Sequence, residues 1–207
     1  KTSLFFAENK GQITSNDKKS NEEVDFVVPG SNINVFINSG ELIYNFLQLN
    51  NSTATISCKA ISMQLIGCNQ DIQPLATDAN LYFENYYVNE TINPVRVNTY
   101  NKITYANIYP KIDWVIYFKA GNLKYDFILH PGADITNIKI KYNGQASVDL
   151  NSKGEIVVKN EFGIISENAP FAFLQENTAA ELDCSFLLNE NYISFYAADY
   201  DKTKTLV

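Results

Sequence analysis

From Ile112 to Leu129 the chain alternates in character at every second residue, on both sides of a short turn. Ile112, Trp114, Ile116 and Phe118 fall on one face of an extended segment, with Asp113, Val115 and Tyr117 on the other. The turn Lys-Ala-Gly-Asn (119–122) follows, and then Leu123, Tyr125, Phe127 and Leu129 alternate with Lys124, Asp126 and Ile128. A period of two belongs to a strand, because successive side chains point to opposite faces of the pleat. Two such runs about a short Gly-containing turn make a hairpin. Both faces of 112–118 are mostly apolar, so this hairpin is expected at the centre of a sheet, with the chain's one Trp, Trp114, as a core anchor.

The same pattern recurs along the chain. Pro131 and Gly132 break the ladder after His130, since Pro lacks an N–H and Gly tolerates positive φ. Alternating runs then follow at 138–142, 146–150 and 156–158, with a short strand in Phe-Gly-Ile-Ile-Ser-Glu-Asn-Ala-Pro and a last hairpin over 182–188 and 192–197. In the first half, 24–28, 33–37, 42–49, 81–88 and 95–100 read as strands. The run Ala-Thr-Ile-Ser-Cys-Lys-Ala-Ile-Ser-Met-Gln-Leu-Ile-Gly is one long strand or a hairpin. Strands at this spacing belong to a sandwich or barrel. Composition agrees: 13 Tyr and 13 Phe suit a half-buried pleated surface, and 26 Asn suit turns. No window holds a helical apolar stripe for three turns, so no long helix is expected.

The predicted class is therefore all-β, antiparallel and sandwich-rich. It is organised as two packed β-lobes, residues 1–75 and 76–207, or as one continuous domain over 1–207. Asn69–Asn80 is the expected seam, and Thr14–Glu23 the other weakly ordered stretch. Phe5 and Phe6 are expected to pack into the domain, and Leu206 and Val207 to form a last strand leading toward a next module.

A formal charge of −7, without a lysine cluster able to track phosphates, argues against a nucleic-acid partner. No apolar run reaches the roughly 20 residues that span a bilayer as a helix. The chain opens on Lys1 and closes on Lys-Thr-Leu-Val, which reads as a processed or excised piece of something longer. Three cysteines and one His lack zinc-ligand spacing, so no metal or other cofactor is expected. Ten residues separate Cys58 from Cys68, which allows a disulfide across a local hairpin; three unpaired thiols are the alternative.

Few residues carry candidate chemistry. His130 has no recognisable nucleophile motif to serve, and reads as a turn residue. Asp113 and Asp126 face each other across the hairpin as a weak calcium pair or, more plainly, as structural carboxylates partnered by lysines or turn amides. Glu8, Asn9, Gly11 and Gln12 are placed to tie the N-terminus to a neighbouring loop. Tyr82, Tyr86 and Tyr87, in Leu-Tyr-Phe-Glu-Asn-Tyr-Tyr, either complete a core or stack on sugar rings.

Several motifs in order also carry a resemblance. Phe-Ala-Glu-Asn-Lys-Gly-Gln (6–12) resembles the Phe-x-Glu-Asn-x-Gly-Gln opening of a domain of unassigned function near the N-terminus of large bacterial surface and secreted proteins. The likeness continues through 85–87, 97–117, 123–134, 138–144 and 167–176 to the closing Tyr-Asp-Lys-Thr-Lys-Thr-Leu-Val. Phe6, Glu8, Asn9, Gly11, Gln12, Asp113, Trp114, Tyr125, Asp126 and Gly132 lie within these motifs, and their roles are expected to be structural. Lys111 departs from the family's pattern, standing where Gly is common, and Tyr87-Val88 replace a Phe. The family includes proteins with SBBP-type propeller repeats. It also includes Bacteroidetes proteins with type IX sorting or gliding-motility-associated C-terminal regions. The resemblance implies an exported, extracellular or cell-surface module with no assigned reaction. The expected function is thus structural or adhesive and non-catalytic, with neighbouring modules or other surface proteins as partners. A carbohydrate-binding module that uses its tyrosines on glycans is the alternative.

Overall fold

The computed structural model describes residues 4–14, 21, 23–87 and 94–207. Strands dominate it: β1 (Phe6–Glu8), β2 (Phe26–Val28), β3 (Ile33–Asn38), β4 (Glu41–Asn50), β5 (Thr55–Leu65), β6 (Leu75–Tyr86), β7 (Val95–Tyr109), β8 (Ile112–Lys119) and β9 (Asn122–Leu129). One 3-10 turn, Ile135–Asn137, follows, and Asp134 caps it by accepting from the Thr136 N–H. The rest is β10 (Ile140–Asn143), β11 (Ser147–Leu150), β12 (Ile156–Lys159), β13 (Ile164–Glu167), β14 (Ala172–Leu174), β15 (Asn177–Leu182), β16 (Cys184–Asn189) and β17 (Tyr192–Ala197). The protein is all-β, with antiparallel pairing at every ladder of the main sheet.

β7 is the joint of the architecture. Along one edge it pairs with β6; along the other it pairs first with β1, through Thr99 and Tyr100, and then with β8 from Lys102 onward. One arm of the sheet runs β1-β2-β3-β4-β5-β10-β17-β16, and the other runs β8-β9. The arms face each other and share a core. Phe6 of β1 stacks on Phe118 of β8 at 4.3 Å, and Phe127 of β9 meets Phe195 of β17 edge-on at 5.8 Å. A small sheet, β11-β12-β13, adds Ile156, Val158 and Ile165 to that core. Strands from both sides of residue 75 enter the one sheet: β1 lies between β2 and β7, and β10 between β5 and β17.

The local expectations are met closely in the hairpins and less well between them. β8–β9 and β16–β17 form as hairpins, and Trp114 is fully buried. However, β8–β9 closes one end of the sheet rather than occupying its centre. Among the strands β9 pairs with β8 alone, because the apolar side chains of the hairpin are covered by the facing arm and not by a further strand. Phe5 and Phe6 are buried too, at 8% and 0% exposure, so the N-terminal segment is part of the domain. Residues 55–65 form one strand rather than a hairpin, paired along its length with β4. Leu75–Asn80 belongs to β6, so the stretch read as weakly ordered is in part a strand. The β14–β15 hairpin was not foreseen. Most of the weakly ordered stretch expected at Thr14–Glu23 lies outside the described residues, as does Val88.

The cross-hairpin disulfide is corrected by the single strand. Cys58 and Cys68 are both free, as is Cys184. Cys58 is exposed on β5 opposite Leu47, whereas the Cys68 thiol packs over the backbone of Gly40. The seven residue steps from Cys58 to Leu65, the end of β5, alone carry the chain roughly 23 Å at strand rise.

Lys111 shows why a glycine suits its place. The β7–β8 turn has only Pro110 and Lys111 between the paired residues Tyr109 and Ile112, and Lys111 has φ +63°. Proline followed by a left-handed residue is the type II arrangement, which favours Gly at the second position. An L side chain there costs about 1–2 kcal/mol. Lys111→Gly is expected to raise stability by about 0.5–1 kcal/mol after the added unfolded-state entropy is offset. A denaturant midpoint that falls on this substitution would show that contacts of the lysine outweigh its backbone strain.

Candidate functional site

The N-terminal motif forms a knot of side chain to backbone bonds. The Asn9 amide donates to the carbonyls of Asn21 (2.8 Å) and Val24 (2.7 Å), while its oxygen accepts from the Gly11 N–H at 3.0 Å. Gln12 donates to the Glu8 carbonyl and accepts from the Lys10 N–H. The Glu8 carboxylate accepts from the Asn98 N–H at 2.7 Å and pairs with Lys10. Gly11 has φ +91°, which lets the loop fold back on itself. A shallow polar cleft of about 460 Å³ lies beside the knot. The polar atoms that define the motif point into the fold's own backbone.

The hairpin aspartates share a face but not a partner. Asp113 lies opposite Ile128 and Asp126 opposite Val115, so they are diagonal rather than directly paired. Asp113 accepts from the Asn107 N–H and meets His130 Nε2, both at 2.7 Å. One of the expected kinds of partner, a main-chain amide, is thus present, and the chain's one histidine, which the strand register carries to the end of β9, is the other partner. The His130 ring is 44% exposed, and among the described residues no hydroxyl or thiol is hydrogen-bonded to it. Asp126 accepts from the Tyr117 hydroxyl at 3.2 Å. Burial raises the Asp126 pKa, against the lowering effects of that bond and of Lys119, Lys102 and Lys124; burial and the Asp126 charge together push Tyr117 up to about 12. Among the described residues no group of three or more His, Cys, Asp or Glu is placed to hold a metal ion.

The tyrosines of β6 divide between two environments. Tyr82 meets Phe5 edge-on at 5.5 Å, and Tyr86 packs on a small second core built from Phe5, Ala7, Val27 and Val97. Tyr87 is 72% exposed, and nearby Phe83 carries the Arg96 guanidinium over its ring at 3.5 Å. Two of the three tyrosines thus have intramolecular packing partners, and only Tyr87 is mostly free.

What the sequence reading did not single out is Glu167, at the end of β13. The hydroxyls of Tyr125 and Tyr142 both donate to its carboxylate. The residue is only partly covered, but its carboxylate end is enclosed, and burial pushes its pKa up to about 7 despite the Tyr125 bond and the distant charge of Lys124. Burial and the Glu167 charge also drive the Tyr125 and Tyr44 phenols upward. Glu167 lies on the wall of a cavity of about 550 Å³ between β9 and the segment leading into β14, with Phe127, Phe173, Phe186 and Phe195 among its apolar lining. A carboxyl near neutrality in an aromatic cavity is a common setting for acid–base work. Here its hydrogen bonds go to two phenols of the same core. Its sequence signal was slight: a Glu in Ser-Glu-Asn-Ala-Pro, with partners 42 and 25 residues away.

No curated protein and no solved structure is significantly similar to the chain. A family model does match, over residues 6–207, and its span takes in the N-terminal knot, the β8–β9 hairpin, Glu167 and the terminal Leu206. The chain belongs to the family described as Domain of unknown function (DUF7948).

Proposed function

We propose that this chain is a non-catalytic structural module of a larger exported bacterial surface protein, presenting its fold to neighbouring modules or other surface proteins. One observation carries the reading. The polar residues of its motifs hydrogen-bond their own fold: Asn9 and Gln12 to main-chain carbonyls, Glu8 and Asp113 to main-chain N–H groups, and Glu167 to two core phenols. A carboxylate or amide bound in this way fixes loops and strand ends, and removing it leaves a donor or acceptor unsatisfied at about 1–3 kcal/mol. The extracellular setting, and the link to propeller-repeat or type IX-sorted proteins, are supported by the motif resemblance.

The test joins a glycan array on the wild-type chain to thermal melts of Asn9→Ala and Asp113→Ala. No glycan should be retained, and each variant should lose roughly 2–4 °C of Tm per kcal/mol. Retention of a glycan that Tyr87→Ala abolishes would replace this reading with a carbohydrate-binding one.

A further inference from the structure

The free edge of β9 carries a consequence that goes beyond the scaffold reading and stands without it. Leu129 donates its N–H to the Leu206 carbonyl at 2.8 Å and accepts from the Leu206 N–H at 3.0 Å. His130, one residue on, donates instead to Lys111, on the β8 side. In an antiparallel ladder successive residues face opposite edges. Phe127, Tyr125 and Leu123 therefore turn their N–H and C=O groups to the same outer edge as Leu129. Among the described residues, none of the three has a backbone partner there. The β8–β9 register has no bulge, and β9 holds no proline, so two of the usual protections of an open edge are missing.

The pairing of residues 205–207 gives the line that a partner of this edge would follow. Residues 205–207 form a short extended segment clasped on both sides. Leu206 faces Leu129 on one side and Leu174 on the other, and Val207 exchanges two 2.9 Å bonds with Phe173. Continued in the same direction, this line passes Phe127, Tyr125 and Leu123 in turn, with Ala172, Phe171 and then Glu167 on its far side. Residues from both walls line the 550 Å³ cavity. The cavity lies between β9 and residues 166–173, in line with residues 205–207.

The geometry points to β9 as an acceptor for an extended polypeptide segment that lies antiparallel to it, in line with Thr205–Val207, and completes the sheet between β9 and β14. Main-chain bonds to Phe127, Tyr125 and Leu123 would hold it, as in strand addition elsewhere. Specificity follows from the pleat. Leu206 and Leu129 both point to the core, at 2% and 3% exposure, so a residue opposite Phe127 or Tyr125 also points inward and must be apolar. The intervening residue shares the outer face with Lys124 and Asp126, and a polar side chain suits it.

Amide hydrogen exchange on the 207-residue chain tests this. In one arm the sequence Val-Thr-Val-Thr-Val-Thr is fused after Val207; in another the same hexapeptide is added free. A third arm carries prolines at the first, third and fifth positions of the fusion, and a fourth adds dodecanoate. Alone, the chain should exchange the amides of Leu123, Tyr125 and Phe127 rapidly while Leu129 is protected. The Val-Thr fusion should slow those three amides by about tenfold or more, and the proline fusion should not. Slowing by the free peptide as well would show that the edge also accepts a separate chain. Amides already as protected as Leu129 in the chain alone, or unmoved by either peptide arm, would overturn the proposal. So would slowing by dodecanoate alone, which would assign the cavity to a small amphiphile.

Discussion

Trp114→Ala is expected to lower stability by about 3–5 kcal/mol, the largest effect of any single substitution considered. Trp114 has no exposed surface, stacks on Tyr105 at 5.5 Å and meets Tyr125 edge-on at 6.5 Å. Its removal opens a cavity beside both rings. The loss also reaches a polar contact, because the Tyr105 hydroxyl donates to Asp25 at 2.8 Å and is held in place by the stack. Among the described residues the indole N–H has no hydrogen-bond partner, so Trp114 acts through volume and packing rather than through its donor. Trp114→Phe should accordingly cost clearly less than the alanine change. Far-UV circular dichroism in denaturant is the suitable readout, since the substitution deletes the chain's one indole fluorophore. A loss below about 1 kcal/mol would place the ring outside the core.

The second large effect is on pH dependence. Glu167 has an ordinary carboxyl pKa of 4.5 and is pushed by burial to about 7 in the folded protein. Between those values the folded state keeps a proton that the unfolded chain has released. The stabilisation is therefore fully present below pH 4.5 and is lost as pH rises through 7, a swing of about 3 kcal/mol from this group. Asp25 and Asp126 are also raised by burial and add slope of the same sign; the exposed Asp134 and Asp201, lowered by their Thr136 and Thr203 bonds, act in the opposite sense. Glu167→Gln isolates the first contribution. The amide keeps an acceptor for Tyr125 and cannot ionise, so the variant should gain on the wild type steadily between about pH 5 and pH 8. Parallel stability curves for the two proteins would mean that the Glu167 carboxylate is solvated in the fold.

The β8–β9 hairpin was legible because it is local. Alternation over Ile112–Phe118 and Leu123–Leu129, with Gly121 in the turn, states both the period and the register, and the burial of Trp114 follows from an apolar strand face. The same holds for β16–β17 about its short turn. A pleat imposes its period on neighbours in sequence, so the sequence displays it directly.

Pairings between distant segments were not legible. Asp113 could be read as needing a donor, but the choice of His130 over a lysine depended on how β8 and β9 align at their ends. Asn9 was read as a tie to a neighbouring loop; that the loop ends at Asn21 and Val24 emerged only from the packing of β1 beside β2. Glu167 was the clearest miss. Its partners come from β9 and β10, and nothing in the spacing of three residues on three strands marks them as neighbours.

The sequence by itself determined that this chain is an antiparallel all-β protein, where most of its strands lie, and which of their faces are buried. Those properties arise from side-chain alternation and turn chemistry, which act over a few residues. Only the tertiary structure decided that β1 enters between β2 and β7, that Leu206 is clasped between β9 and β14, and that Glu167 meets two phenols. Such contacts are selected by closing long loops around a shared core. Many strands present similar apolar faces, so the pattern of each strand alone leaves its partner open until all are packed together.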